Sequence, residues 1–302
     1  MECLVTKLKE RVNNNNIMPL NSILVHIEAS SVSVEVGADS KGVVGKIITP
    51  GVTFTNGIFN GLTEQEFPNG TYRTCSVSAE CDMIISNASH ITRLQQSGGG
   101  GLYFARLNMD GLYGNSVLQF INIGKANGDI KALKGMSQAK SIVLKTDDSG
   151  IGLYGNVENL PLSSALYGLT ISGSPNVEGS IDFVSSLPVI ADIDLSYGKI
   201  SGNISAFANL SSLRDVTLTR TLVEGNISSF AGISTLRNLQ LLGCAITGNL
   251  SQLINVPALK DATFPDSVYY TSEDASRIDA LMESNGGTMK SSGHYFLGGT
   301  QI

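Results

Sequence analysis

Apolar positions recur along this chain with a period of 23 to 27 residues, and the period is easiest to follow from its glycines. Counted from each glycine, apolar residues stand two and five positions later and again, as a pair, fourteen and sixteen positions later. The alternating pair predicts a short strand with one buried face. The whole pattern predicts a stack of similar coils. The aligned glycines are Gly128, Gly155, Gly179, Gly202, Gly225 and Gly248.

The coil around Leu236–Ile246 fits the pattern L-x-x-L-x-L-x-x-N/C-x-L, with Cys244 at the Asn/Cys position. In this respect residues 128–264 resemble leucine-rich-repeat proteins. The resemblance implies a solenoid with a parallel β-sheet on one face and irregular segments, 3-10 turns or short strands on the other. One coil cannot bury its apolar face alone, whereas stacked coils share a continuous core. The recurring Gly-Asn-Ile-Ser, as at Gly225, is predicted to be the corner of each coil.

The segments on either side of the repeats do not follow the repeat pattern, and their residue patterns also differ from one another. Four regions are therefore predicted. The first is a peptide ending in an Asn-rich linker, and the second is a β-rich cap with alternating strand patterns. The third is the solenoid, and the fourth is an α/β cap. In the fourth region, Ser272 is predicted to cap a helix whose apolar face includes Ile278, with a short strand following. The regions are residues 1–21, 22–101, 102–264 and 265–302.

Charge, hydropathy and cysteine content limit the kinds of binding partner and the cellular compartment that are expected for this protein. The net charge is -6 with no basic block, which argues against a nucleic-acid partner. No stretch approaches the roughly 18 apolar residues of a membrane span, so membrane insertion is not expected. The N-terminus lacks the apolar run of a secretory signal, and synthesis in the cytoplasm is the expectation. Free thiols are predicted for the cysteines, although pairing of Cys75 with Cys81 is left open.

The residues that could carry catalysis are dispersed. His26, His90 and His294 lie in three regions, and no zinc, nucleophile-elbow or phosphate-loop motif is present. The acidic pair Asp147-Asp148 falls in the longest repeat, where a solvated loop is the expected structure. The glycosylation sequons are interpreted as by-products of the corner chemistry; they begin at Asn203, Asn226 and Asn249, and also at Asn69, Asn87 and Asn209. We therefore predict no enzyme, no cofactor and no metal site.

One face of the predicted sheet is a candidate for recognition. Positions thirteen and fifteen after each glycine point outward, and adjacent strands lie about 4.8 Å apart, so their side chains should form two columns. Like charges stacked across strands are unfavourable unless a cation, a basic group or water compensates. A solvated polar sheet and a site for a basic or hydroxyl-rich ligand both fit this pattern. The candidate residues are Asp192, Asp194, Asp215, Thr217, Asn238, Gln240 and Asp261.

Three stretches together resemble virion proteins of tailed phages that infect gut Bacteroidetes, the crAss-like phages among them. They are the opening LVTKLK with its Asn-rich linker, the block from Gly70 to Leu94, and the coils of the V-x-G-N-I-S-x-F type. Glu10 departs from the pattern, which would have glycine or another small residue. The resemblance implies a particle-bound structural protein whose repeats face outward. It implies docking through Leu4, Val5, Thr6, Lys7 and Leu8.

The partners implied are other virion proteins through the N-terminus and a glycan or protein of the host surface through the repeats. Self-association is left open, and the expected location is the virion. The alternative is a bacterial leucine-rich-repeat adhesin or interaction protein outside any particle. An enzyme using the sheet face would instead need a convergent cluster of titratable groups.

Overall fold

The computed structural model describes residues 21–27, 32–49, 51–52, 64–67, 69–70, 72–98, 105–146, 152–161 and 163–302. These residues belong to two compact units. One is Met1–Gly155 with Asn159–Pro161, and the other is Asn156–Glu158 with Leu162–Ile302. The four regions expected from the sequence follow changes in residue pattern, and their boundaries stay predictions.

The first unit is built of β-strands, as the alternation in its sequence predicts. In one antiparallel ladder β4, β3, β6, β1 and β8 follow one another, and in the other β5, β2 and β7 do. Alternate residues of β1, such as Ile23 and Val25, are fully buried. The strands are β1 Ser22–Ile27, β2 Val32–Ala38, β3 Val44–Ile47, β4 Glu64–Glu66, β5 Tyr72–Ser76, β6 Cys81–Ser86, β7 Ile91–Gly98, β8 Ala105–Asn108, β9 Phe120–Asp129, β10 Ser141–Thr146 and β11 Leu153–Asn156.

Strand β9 joins the two ladders and begins the parallel repeat. Its first half pairs with β7 and its second half with β8, both in parallel. On its other side β9 pairs with β10 and then with β11. The buried Asn115 fixes the approach to β9, because its amide donates to the carbonyls of Ala88 and Ile91 at 2.8 Å each.

The second unit is a leucine-rich-repeat solenoid with a parallel ladder on each side, which confirms the predicted fold class. The first ladder contains β12, β14, β16 and β18, and the second contains β13, β15, β17 and β19. Both ladders end on β20 and then β21. The strands are β12 Gly168–Ser172, β13 Asn176–Ser180, β14 Asp192–Asp194, β15 Lys199–Asn203, β16 Asp215–Thr217, β17 Leu222–Asn226, β18 Asn238–Gln240, β19 Ala245–Asn249, β20 Asp261–Tyr270 and β21 Phe296–Gln301.

The corner of each coil has the conformation that the Gly-Asn sequence predicts. Gly225 has a φ of 129°, and Asn226 then caps a 3-10 turn over Ile227–Phe230 by accepting a hydrogen bond from the Ser228 amide at 3.0 Å. All six aligned glycines have positive φ. The apolar residues after them are fully buried, and Phe207 stacks against Phe230 of the next coil with 5.6 Å between ring centroids.

The helix of the C-terminal cap, α1, runs over Ser272–Ser284. The prediction that Ser272 caps it is wrong, because Thr271 is the N-cap. The Thr271 hydroxyl accepts from the Asp274 amide at 3.2 Å, while the Asp274 carboxylate accepts from the Thr271 amide at 2.9 Å, which forms a capping box. At the other end, the Asn285 amide donates to the Leu259 carbonyl at 2.8 Å and ties the helix to the last coil.

The structure describes the thiol groups of Cys81 and Cys244. Cys81 and Cys244 are both buried free thiols. Burial, with Asp82 and Glu80 nearby, raises the pKa of Cys81 to about 12. The Cys244 thiol donates to the Leu218 carbonyl at 2.9 Å, so it satisfies a backbone acceptor of the preceding coil.

Candidate recognition face

The structure brings all seven candidate residues together in two columns on the outer face of the first ladder of the second unit. In the first column Asp192 lies opposite Asp215, which lies opposite Asn238, which lies opposite Asp261. In the second column Asp194 is followed by Thr217 and Gln240. Between the columns the residues point inward and are buried, as Val216 and Leu239 do. We call these seven residues the polar columns.

Two of the four carboxylates in the columns are paired with a cation of the protein. Arg214 donates through Nη2 to both carboxylate oxygens of Asp192, at 3.1 and 2.8 Å. The Asn238 amide donates to the carboxylate of Asp215. Lys290 Nζ lies 2.7 Å from Asp261, so a side chain of the C-terminal cap neutralises the last carboxylate. The acidic column is therefore compensated in part by side chains of the protein itself.

Asp194 stabilises the turn that follows its own strand. Its Oδ1 accepts hydrogen bonds from the Ser196 amide at 3.0 Å and from the Ser196 hydroxyl at 2.6 Å. These bonds close the turn that follows β14, and they occupy one oxygen of the carboxylate. Half of this carboxylate is thus engaged in holding the coil.

The close approach of Asp215 affects the protonation of Asp192. Partial burial raises the pKa of Asp192, and its hydrogen bond with Asp215 raises the pKa further. The Arg214 guanidinium acts in the opposite direction. In the described part of the columns no nucleophile or second base converges on these two carboxylates.

Sequence reasoning missed a column of basic residues beside the acidic one. Arg214, Arg237 and Lys260 each stand one position before an outward-pointing residue, and all three are exposed. Their backbones repeat the same contact, because the amides of Arg237 and Asn238 both bond to the Arg214 carbonyl, at 2.7 and 3.0 Å. The signal was present in the sequence at position twelve after Gly202, Gly225 and Gly248.

Two further residues were missed because they lie just past the first-ladder strands. Tyr197 and Arg220 follow β14 and β16 in successive coils, and both have positive φ, 65° and 57°. The equivalent positions of the coils on either side are Gly173 and Gly243. Comparing the coils at position eighteen would have shown two large side chains where glycine is expected.

The three histidines lie apart, as the sequence indicates, and each has a carboxylate partner. His26 contacts Asp82 at 2.7 Å, and His90 contacts Asp39 at 2.9 Å. His294 contacts Asp279 at 2.7 Å and stacks on the ring of Phe296, with centroids 4.9 Å apart. These pairs join neighbouring segments, which is a structural role.

The first unit has a shallow cleft of about 280 Å³. Phe120 lies in its wall, and the guanidinium carbon of Arg93 sits 4.2 Å from the centre of the Phe120 ring. Arg93 also pairs with Glu35 at 3.3 Å, so its charge is already engaged. The rest of the lining is Ala38, Asp39, Asn69, Gly70, Thr92 and Gln119.

Some predicted residues lie outside the described part of the chain. The docking peptide Leu4, Val5, Thr6, Lys7 and Leu8 is one such segment, and Asp147-Asp148 is another. Within the residues that are described, no three His, Cys, Asp or Glu side chains gather closely enough to hold a metal ion. The same residues include no helix with the length and apolar character needed to span a bilayer.

Comparison with known proteins gives structural matches alone. No protein-family model matches the chain, and no curated protein matches it. Internalin C2 from Listeria monocytogenes is 16% identical, with 70% of this chain and 80% of that chain covered and a TM-score of 0.43. A plant peptide hormone receptor, RGFR1 in complex with RGF2, is 17% identical over 55% of this chain, with a TM-score of 0.40.

A third match is the ectodomain of the receptor kinase GASSHO1/SCHENGEN3 from Arabidopsis thaliana, 17% identical over 54% of this chain with a TM-score of 0.42. The aligned part spans 33% and 23% of the two plant chains, respectively. The assignment of this chain as a leucine-rich-repeat protein rests on the ladders, corners and buried positions described above.

Proposed function

We propose that this chain is a non-enzymatic binding protein that presents the outer face of its solenoid to a macromolecular partner. One observation carries the proposal: the polar columns form an ordered array of side chains across consecutive strands. Their carboxylates bond to neighbouring side chains, as Asp192 does to Arg214 and Asp261 does to Lys290, instead of converging on a reacting centre. A rigid sheet of this kind holds many hydrogen-bonding groups at fixed spacing, which suits recognition of an extended surface.

We further propose that the protein is a structural component of a tailed-phage virion. The support is the sequence resemblance of the N-terminal peptide, the Gly70–Leu94 block and the coils. On this proposal Leu4, Val5, Thr6, Lys7 and Leu8 dock the chain to other virion proteins. The repeats then face outward toward a glycan or protein of the host surface, with neither nucleic acid nor membrane insertion involved. The protein is made in the host cytoplasm and ends in the particle.

Incorporation into particles tests the virion proposal. The full-length protein and a form lacking residues 1–21 are supplied during phage infection, and the particles are purified by sedimentation. We expect the full-length protein alone to sediment with particles, while both forms show the same cooperative melting. A matched variant, Leu4→Asp with Leu8→Asp, should behave as the deletion does, since a charge cannot replace an apolar docking side chain.

If both forms sediment with particles, the peptide is not the anchor. If neither does, the virion proposal fails, and the alternative of a bacterial leucine-rich-repeat adhesin or interaction protein stands in its place. Binding by the solenoid face is not decided by this experiment and is tested separately below.

A further inference from the structure

A ridge of large exposed side chains borders the polar columns where the first-ladder strands end. Tyr197 has 49% of its surface exposed, and Leu242 has 45%. Arg220 lies between them in the intervening coil and is exposed as well. Leu222, two residues after Arg220, is 63% exposed. We call Tyr197, Arg220, Leu222 and Leu242 the ridge.

Tyr197 and Arg220, at the centre of the ridge, have a backbone conformation that is unfavourable for residues with large side chains. At this position the successive coils carry Gly173, Tyr197, Arg220 and Gly243, with φ of 70°, 65°, 57° and 78°. Glycine takes this left-handed conformation freely, whereas a bulky side chain there is an outlier. Two neighbouring coils therefore keep large residues where the fold favours glycine, and such outliers concentrate at functional sites.

The Arg220 side chain is held in place from both sides. Its guanidinium carbon lies 5.6 Å from the centre of the Tyr197 ring in the preceding coil. Its stem lies against Gly243 in the following coil, where an added Cβ would come within 3.2 Å of Arg220 Cγ. The backbone is fixed too, because the Arg220 amide donates to the Leu242 carbonyl at 2.8 Å. Ordering these groups beforehand lowers the entropic cost of binding.

Charge at the ridge is uncompensated. In the described part of the chain no carboxylate pairs with Arg220, in contrast to Arg214, which binds Asp192. Stacking on Tyr197 leaves the edge of the guanidinium, with its N–H donors, for a planar oxyanion. Tyr and Arg are also the residues most enriched at the energetic centres of protein interfaces. Exposed apolar side chains beside them are typical of a protein-binding patch.

We propose that the ridge is the contact site for a protein segment that presents a carboxylate next to apolar side chains. The carboxylate binds the guanidinium edge of Arg220, and the apolar side chains cover Tyr197 and Leu242. Leu222 extends the apolar surface on the second ladder. This inference rests on the proposed binding function and names its partner chemistry; it is independent of whether the protein belongs to a virion.

A selection with a random-peptide display library on the full-length protein tests the proposal. We expect the enriched peptides to carry Asp or Glu beside large apolar residues and to bind more weakly as salt concentration rises. Tyr197→Gly and Arg220→Gly should each weaken binding of these peptides roughly tenfold or more. Both variants should melt at or above the temperature of the parent, because glycine accepts the backbone conformation at these positions.

If a ridge variant binds peptide more weakly but melts at or above the temperature of the parent, the weaker binding reflects a lost contact with the peptide and not a loss of folding. Tyr154→Ala and Arg277→Ala are the matched controls, since both side chains are exposed and lie outside the ridge, the polar columns and the basic residues beside them. They should leave peptide binding unchanged. Enriched peptides that lack acidic residues, or that bind both ridge variants as tightly as the parent, overturn the proposal.

The outcomes also distinguish the ridge from the proposed function. Peptides that ignore the ridge variants but lose binding with Asp215→Asn or Gln240→Ala leave the solenoid as a binding module and overturn the ridge as its site. A selection that enriches no peptide overturns the ridge and removes the support for protein binding. Particle incorporation, measured on the Arg220→Gly variant, is expected to be unaffected in every case.

Discussion

The glycine at each corner is required for two separate reasons. At Gly225 the φ of 129° is a conformation that side chains disfavour, and the space is also occupied. A Cβ there would lie 2.8 Å from Ile204 Cγ1 and 2.9 Å from Asn203 Oδ1 of the preceding coil. The corners of adjacent coils thus stack closely because neither has a Cβ between them.

Gly225→Ala is expected to destabilise the protein by roughly 1–3 kcal/mol, because it adds both backbone strain and a steric clash. The free energy of unfolding from denaturant titration measures it. Gly232→Ala is the control: its Cβ would meet nothing within 4 Å, so the change should be neutral or slightly stabilising. Equal effects of the two substitutions would contradict the described corner.

The asparagine after each glycine satisfies an amide that the 3-10 turn leaves without a partner. Asn203, Asn226 and Asn249 each accept from the backbone amide two residues later. These residues also begin the glycosylation sequons of the corners. The sequon is therefore accounted for by capping, as the sequence analysis suggests.

Replacing Asn226 by Ala should cost about 1 kcal/mol of unfolding free energy, since the Ser228 amide loses its acceptor. Asn209→Ala removes an exposed sequon asparagine that lies outside the corners and should change stability little. Thermal melts of the two variants beside the parent make the comparison. A cost at Asn209 equal to that at Asn226 would argue against the capping role.

At the scale of elements, β14 and β16 meet through two adjacent carboxylates. The pKa of Asp192 is raised in the folded protein, first by burial and then by its hydrogen bond with Asp215. A raised pKa means that the folded state binds this proton more tightly than the unfolded state does. The contribution to stability is thus fully present below the unfolded pKa and is lost as pH rises through the folded pKa.

We therefore expect the stability difference between the parent and Asp192→Asn to shift in favour of the parent as pH falls from about 7 to about 4. The variant has no proton to bind at this site, so the difference reports the proton that Asp192 binds. Urea unfolding at a series of pH values gives the difference directly. A difference that stays constant, or that shifts in favour of the variant, would show that burial and the neighbouring Asp215 do not raise the affinity of Asp192 for its proton.

The elements of the solenoid can be predicted well from the sequence, because each coil repeats the same spacing of buried apolar residues and corner glycine. The spacing of Leu239 and Leu241 gives the strand, its register and its buried face, and the outward columns follow from that register alone. The pairing of Arg214 with Asp192 does not follow, since it depends on which way a long side chain turns across two coils. Lys290 reaches Asp261 from 29 residues away, which no local pattern indicates.

Outside the repeats the sequence predicts less. The β-rich nature of the first unit follows from alternation, but the order of strands in its two ladders depends on contacts distant in sequence. The helix of the C-terminal cap is predicted with its apolar face. Its N-cap is displaced by one residue because Thr271 and Ser272 are both good caps, and Asp274 completes a capping box only with Thr271.

For the solenoid as a whole, the last coil must be covered, and β20 does this by passing from one ladder to the other. Its residues Phe264 and Val268 are fully buried. Phe296 of β21 packs on Phe264 with ring centroids 6.1 Å apart, and Ile278 and Met282 of α1 are also buried. The cap thus closes a core that the final coil would leave open.

Deleting residues 271–302 is expected to abolish cooperative melting and to produce aggregates, because it exposes this apolar surface and leaves β20 as an uncovered edge. Static light scattering and circular dichroism on the purified proteins measure both effects. The double substitution Glu273→Gln with Arg277→Gln changes exposed residues of the same helix and should preserve both properties. A truncated protein that melts like the parent would show that α1 and β21 are dispensable.

The even spacing of Gly179, Gly202, Gly225 and Gly248 makes the middle coils interchangeable units. Each begins and ends at the same type of corner, so a gene segment that gains or loses one whole coil preserves the phase of every strand that follows. The length of the displayed face can then change in steps of one strand separation, about 4.8 Å, while both ends remain as they are. Lineages carrying this architecture can adjust the reach of the binding surface by recombination between their own repeats, without first losing a folded protein.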